Sequence, residues 1–200
     1  MTSSHSQAVT GVQAFDLDFG RIAVVICYDI NFAELWMQAS ALKADIVVWP
    51  SAMQTPDPSS YGYARIFQYD VISVGFPGDF VDRTGVQHPT ITVGSDRRSG
   101  GGGGSSRGND AAASFPMMRR ATVDIDRTFV HWDYNHDKVK QLMQDHPEIV
   151  MEVPGPPFYL LKSTSNVTSV KELLKTYKIE TNREYITRSR QGLNKMRQMP

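Results

Sequence analysis

Between Gly20 and Ile26 the chain carries an unbroken apolar run, Gly20-Arg21-Ile22-Ala23-Val24-Val25-Ile26, interrupted only by Arg21. A run of this length without alternation predicts a strand buried on both faces, as in a parallel sheet. The period then changes. Phe32, Leu35, Trp36, Ala39 and Leu42 recur at helical spacing, and Asn31 followed by Glu34 has the form of a capping box that starts the helix just past Cys27. Ala44 to Trp49 is strand-like again and stops at Pro50-Ser51. Strand, helix, strand in this order predicts a βαβ unit with a right-handed crossover.

A second, weaker unit follows. Tyr63, Ile66 and Phe67 lie on one helical face between Ser59 and Asp70, and Val71 to Val74 predicts a strand. Asp82-Arg83-Thr84-Gly85 has turn composition, and Thr90 to Val93 and Ala121 to Ile125 are strand-like. Between them lies a Gly/Ser-rich stretch, residues 99–110, whose composition cannot bury apolar surface. It is expected to be a flexible surface loop inside one domain, with an interdomain linker as the alternative. Residues 137–145 predict a helix and Pro154 to Pro157 an extended segment. Two further helix starts carry capping boxes, Ser169 with Glu172 and Thr181 with Glu184. The expected organisation is an α/β domain over residues 1–165 and a helical extension over residues 166–200.

Charge sharpens that division. The 200 residues hold 21 basic and 21 acidic side chains, yet from Asn166 onward there are eight basic against three acidic. The extension is therefore expected to be a solvated helix pair docked on the body or on a partner, and it lacks the aromatic–basic interleaving of a nucleic-acid binder. Neutral overall charge gives no attraction to nucleic acid or to an anionic membrane. No apolar run reaches the length of a span, and the first eleven residues do not have the form of a secretory signal. The default expectation is a soluble cytoplasmic protein. His131, Asp133 and His136 have metal-ligand chemistry, but the two histidines would not share a helix face. They read as a solvent-facing helix entry, and no metal site is expected.

One cysteine excludes an intrachain disulfide and any cysteine cluster on a metal. That residue, Cys27, falls where a parallel strand gives way to a helix, and ligands of open α/β sheets bind at the carboxyl ends of strands. Free N–H groups at the turn can stabilise a thiolate or an oxyanion. The competing reading is a small buried hydrophobe. Pro50-Ser51-Ala52, at the end of the next strand, should border the same crevice.

The segments Gly20 to Glu34 and Ala44 to Ala52 closely resemble the nucleophile region of the nitrilase, or carbon–nitrogen hydrolase, superfamily, in the family's order and spacing. Val81 to Gly85 continues the resemblance more weakly, and Val123 to Asp126 resembles a late strand of that fold. The resemblance implies a four-layer αββα sandwich, here a partial one, whose subunits pair, so a homo-oligomer is expected with the basic extension lying across an acidic partner surface. It implies cleavage of a non-peptide C–N bond in a small amide or nitrile, with no metal or organic cofactor. Cys27 would be the nucleophile and the Tyr28 N–H the oxyanion donor. Trp49, Ser51 and Met53 would line the substrate pocket. The family's glutamate base and its lysine precede the cysteine, whereas residues 1–26 contain neither residue type. The chain as given is therefore expected to turn over little by itself, and a non-catalytic binding or assembly subunit of the same fold is the alternative. Glu34 is expected to be structural, paired with a residue such as Arg65, and Asp29 to form a turn.

Overall fold

A computed structural model describes residues 11–54, 57–76, 78–89, 91–93, 118–155 and 157–197. The expected βαβ unit is present. Strand β2 (Gly20–Val24) runs parallel to β3 (Ile46–Gln54), which runs parallel to β4 (Asp70–Phe76). Helix α1 (Ala33–Ala41) connects the first two and α2 (Pro58–Phe67) the second two. β5 (Asp79–Val81) turns back antiparallel beside β4. At the other end the sheet carries a strand that the apolar pattern does not predict: β1 (Gln13–Leu17) forms an antiparallel hairpin with β2, giving the order β1-β2-β3-β4-β5. Four of its five side chains are exposed, so it lacks the alternation that marks a half-buried strand.

Period two decides which side chains meet the helices. Ala23 and Val25, Val47 and Trp49, and Val71 lie on one face, all buried, against Trp36 and Ala39 of α1 and Ala64 of α2. Removing that apolar surface from water, at about 25 cal/mol per Å², is what holds the helix layer to the sheet. The end of β5 is closed by the expected turn: the Gly85 N–H donates to the Asp82 carbonyl at 2.8 Å. Gly85 has φ +80°, and a Cβ there would stand 2.9 Å from the Tyr61 carbonyl oxygen, so only glycine fits.

The second half of the described chain builds its own core. An antiparallel sheet in the order β8-β10-β9 comprises β8 (Thr128–His131), β9 (Ile149–Gly155) and β10 (Phe158–Ser163). Helix α3 (Trp132–Asp145) and helix α4 (Val170–Thr176) pack on it, burying Val130, Val139, Leu142, Leu161, Val170 and Leu174 together. His131 is the N-cap of α3, its Nδ1 accepting from the Asp133 N–H. Both expected capping residues perform that role: Ser169 accepts from the Glu172 N–H, and Thr181 exchanges bonds with Glu184 at the start of α5 (Asn182–Arg197).

Two expectations differ from the structure here. The segment from residue 166 shares its core with residues 130–161, because Val170 and Leu174 are an i, i+4 apolar pair beneath the basic residues. The strand expected over residues 121–125 lies earlier, as β7 (Met118–Arg120), paired with β6 (Ile91–Val93). The Asp126 carboxylate instead accepts from Ser169 Oγ and from the Val170 and Lys171 N–H groups, which fixes that segment as the lid of a helix start. The Gly/Ser stretch 99–110 lies outside the described residues.

The two halves meet at the amino edge of the five-stranded sheet. Arg83 and Asp70, both of the first half and with side chains only 4% and 3% exposed, pair at 2.7 Å, and Arg83 reaches the second half by donating to the Arg127 carbonyl. Arg183 of α5 donates to the Ala44 carbonyl at 2.7 Å and to the Gln68 carbonyl, with its guanidinium carbon 5.9 Å from the Tyr69 ring centre. Gln68 is the left-handed C-cap of α2, so this cation sits at the negative end of that helix. Lys171 pairs with Asp45, and Arg127 with Asp82 and Glu152. Among the described residues no helix is long and apolar enough to cross a membrane.

Candidate active site

At the carboxyl edge, β2 leads through Val25, whose N–H donates to the Val48 carbonyl, and an extended Ile26 into Cys27. Cys27 opens a five-residue 3-10 turn, Cys27–Asn31, and α1 begins only after it. The predicted Asn31–Glu34 capping box is absent: Asn31 Nδ2 donates to the Tyr28 carbonyl, and the N-cap of α1, Phe32, has no side-chain cap bond. The residue that closes the turn is Asp29. Its Oδ2 accepts from the Ile26 N–H at 2.8 Å while its own N–H donates to the Ile26 carbonyl at 2.9 Å. This fits the expectation that Asp29 is turn-forming.

Cys27 has φ +46°, a left-handed conformation that costs a residue with a Cβ on the order of 1 kcal/mol or more. The surroundings over-determine it. Four successive carbonyls of the turn accept side-chain donors: Cys27 from Trp49 Nε1 at 2.9 Å, Tyr28 from Asn31, Asp29 from Trp36 Nε1 at 3.0 Å, and Ile30 from the Tyr63 hydroxyl at 3.0 Å. The three aromatic donors form one packed group. Trp36 stacks on Tyr63 at 4.8 Å between ring centres and meets Trp49 edge-on at 6.3 Å. Burial raises the Tyr63 phenol above its ordinary pKa, reinforced by the charges of Asp57 and Glu34, so it stays a donor.

Cys27 is a free, half-buried thiol. Beside it Ile26, Tyr28 and Phe32 are exposed, and the Tyr28 and Phe32 rings meet edge-on at 5.9 Å. Among the described residues no acceptor lies on the Tyr28 N–H. At the end of β3, Ser51 is half-buried and Ala52 exposed. Trp49 corrects the expectation made of it: its side chain is 0% exposed and lies beneath the turn, so it supports the cysteine and cannot wall a pocket. Met53 lies on β3, but its side chain falls outside the described residues. Glu34 and Arg65 are both exposed, and among the described residues no ion pair joins them.

Among the described residues three carboxylates on this side of the sheet are engaged, while Glu34, in the first turn of α1, is exposed and in no ion pair. Asp29 holds the Ile26 N–H, Asp57 caps α2 by accepting from the Ser59 N–H, and buried Asp79 accepts from the Tyr61 hydroxyl at 3.0 Å and Gln87 at 2.8 Å. Burial, with Asp79 beside it, pushes the Tyr61 phenol up to about 12. Sequence reasoning does not single out Asp79, Trp36 or Tyr63 for this site. The helical spacing of Trp36 and Tyr63 marks them as core, which they are, but not as donors to the turn. No group of histidine, cysteine, aspartate and glutamate among the described residues could hold a metal ion.

Comparison with known proteins bears on this geometry. No curated protein sequence matches the chain. Among solved structures, a mutant of the amidase from Nesterenkonia AN1, of the nitrilase superfamily, is 15% identical, with TM-score 0.37 over 41% of this chain and 37% of that one. The same amidase in complex with butyramide gives 16% identity and TM-score 0.36 over 40% and 37%. Nit3 of Saccharomyces cerevisiae, a member of branch 10 of the superfamily, is 24% identical, with TM-score 0.34 over 38% and 34%. The chain thus spans little more than a third of the length of these structures. Residues 2–87, which hold the parallel strands, both covering helices and the cysteine turn, match the family model for carbon–nitrogen hydrolases. The likeness to that family is carried by this segment, less than half of the chain.

Proposed function

We propose that this chain carries the nucleophile portion of a hydrolase acting on a small amide or nitrile, with Cys27 as nucleophile and the Tyr28 N–H as oxyanion donor. The observation that carries the reading is the strained turn at the carboxyl edge, where a half-exposed thiol stands beside an N–H that no described acceptor occupies. The thiolate attacks the nitrile or carbonyl carbon. A C–S bond forms, and the displaced π pair moves to nitrogen or oxygen, giving a thioimidate from a nitrile or, once ammonia leaves, a thioester from an amide. Water then cleaves the C–S bond and returns the thiol. An unassisted thiol is only a few per cent ionised at neutral pH, and Asp29, Asp57 and Asp79 are committed to other donors. The chain therefore performs the addition and lacks an efficient base for turnover. Ser51, and Met53 beyond it, are the pocket residues of this reading.

The test is intact-protein mass spectrometry after incubation with small aliphatic nitriles, combined with an assay of ammonia release. The expected result is a covalent adduct on Cys27, absent from Cys27→Ala, with ammonia release within about tenfold of that variant, since general acid–base assistance is worth about 10²–10⁴-fold. A thiol that iodoacetamide alkylates but that forms no adduct with any nitrile would overturn the nucleophile assignment. Rapid turnover lost in Cys27→Ala would overturn the claim that the base is lacking.

A further inference from the structure

The Cys27 carbonyl and the Tyr28 N–H belong to one peptide unit, and a trans peptide holds the two in opposite directions. Whatever fixes the carbonyl therefore fixes the oxyanion donor. The carbonyl is held by Trp49 Nε1 at 2.9 Å from beneath, out of the hydrophobic core. The indole has no freedom to follow a rotated peptide. It has no exposed surface, it packs edge-on against Trp36, and its backbone lies within the β3–β4 ladder opposite Ser73. A 3-10 turn holds its own carbonyls weakly, and Cys27 is strained at φ +46°, so an external donor decides which way this peptide faces.

We infer that Trp49 is a positioning residue: its indole N–H locks the Cys27–Tyr28 peptide with the Tyr28 N–H turned away from the core, where the oxyanion develops. The inference rests on the proposed role of Cys27. Trp36 donates to the same turn but to a different peptide, and that carbonyl, of Asp29, also accepts from the Phe32 N–H at 3.1 Å. The two tryptophans thus have separable effects.

Two reactions of Cys27 distinguish orientation from packing. Propionaldehyde adds to the thiol: the S–C bond forms, the carbonyl π pair moves to oxygen, and that oxygen takes up the proton the thiol loses. The product depends on the oxyanion donor. Iodoacetamide alkylates the same sulfur with loss of iodide and places no charge on oxygen. Trp49→Phe keeps an aromatic ring and removes the N–H. Its aldehyde affinity is expected to fall tenfold or more, with the alkylation rate within twofold of the native chain. Losing an oxyanion donor outright costs about 10²–10³ in rate. Trp36→Phe is expected to leave both reactions within threefold. A parallel fall of both reactions in Trp49→Phe, or no change in either, overturns the inference. Independently of any variant, the Tyr28 amide proton must move downfield when aldehyde is added to the native chain; an adduct that leaves it unmoved also overturns it. A native chain that alkylates but forms no more adduct than free cysteine overturns the nucleophile reading itself, and this inference with it.

Discussion

The two edges of the five-stranded sheet solve the same problem with opposite chemistry. Each must satisfy backbone carbonyls that the ladder leaves over. At the carboxyl edge the donors are neutral and mostly aromatic: Trp49, Trp36 and Tyr63 hold the carbonyls of Cys27, Asp29 and Ile30. At the amino edge they are cations: Arg183 holds the carbonyls of Ala44 and Gln68, and Arg83 the carbonyl of Arg127, with Asp70 and Asp45 as counter-charges. Neutral donors fix geometry without placing a full charge beside the Cys27 thiol. Cations give stronger bonds, suited to joining two separately formed cores, and make that junction depend on pairing.

The largest expected effect lies at the charged edge. Asp70→Asn leaves Arg83 buried without its counter-charge, which should cost about 3–5 kcal/mol in urea unfolding. A double replacement, Asp70→Leu with Arg83→Met, should recover most of that loss. If the single change costs less than about 1 kcal/mol, the amino edge is not held by this pair. Next, Arg183→Met keeps the apolar stem and removes the guanidinium from the Ala44 and Gln68 carbonyls, at a cost of about 2–3 kcal/mol. Burial, and Arg83 nearby, hold the Arg183 pKa down to about 10, so its charge is carried at neutral pH against a real desolvation cost. A neutral result would mean that this cost cancels the two bonds.

The smallest effect is a pH dependence. Burial pushes the Asp82 carboxyl up, but its bonds from the Thr84 hydroxyl and N–H, Arg127 and the Val86 N–H outweigh this and leave its pKa below the ordinary value of 3.8. A carboxyl depressed in the folded state adds stability above its unfolded pKa and loses it as pH falls through the folded one. The urea midpoint of the native chain should therefore drop more steeply below about pH 4 than that of Asp82→Asn. Parallel acid limbs would show that Asp82 takes no part in the junction.

Much of the site is legible in the residues alone. The unbroken run to Ile26 and the helical spacing after Phe32 place Cys27 at a strand-to-helix junction, because apolar period reports burial directly. What the pattern does not report is polar satisfaction. Asn31 and Glu34 spell a capping box, yet Asp29 closes the turn, since a 3-10 segment intervenes and moves the helix start to Ala33. Trp49 reads as a wall because it stands near the strand end; period two from Val47 puts it on the buried face. The eight basic residues after Asn166 suggest a solvated extension. Charge counts are blind to Arg183, whose cation turns inward to two carbonyls, and to Val170 and Leu174 below it.

The reach of the bonds at the two edges also sets an order of assembly. The donors of the cysteine turn lie 7, 22 and 33 residues from their acceptors. Those that close the amino edge span 44, 115, 126 and 139 residues. Chain closure costs more entropy the longer the loop. The cysteine turn, closed by the shorter loops, is therefore expected to form before the ionic junction that braces the sheet.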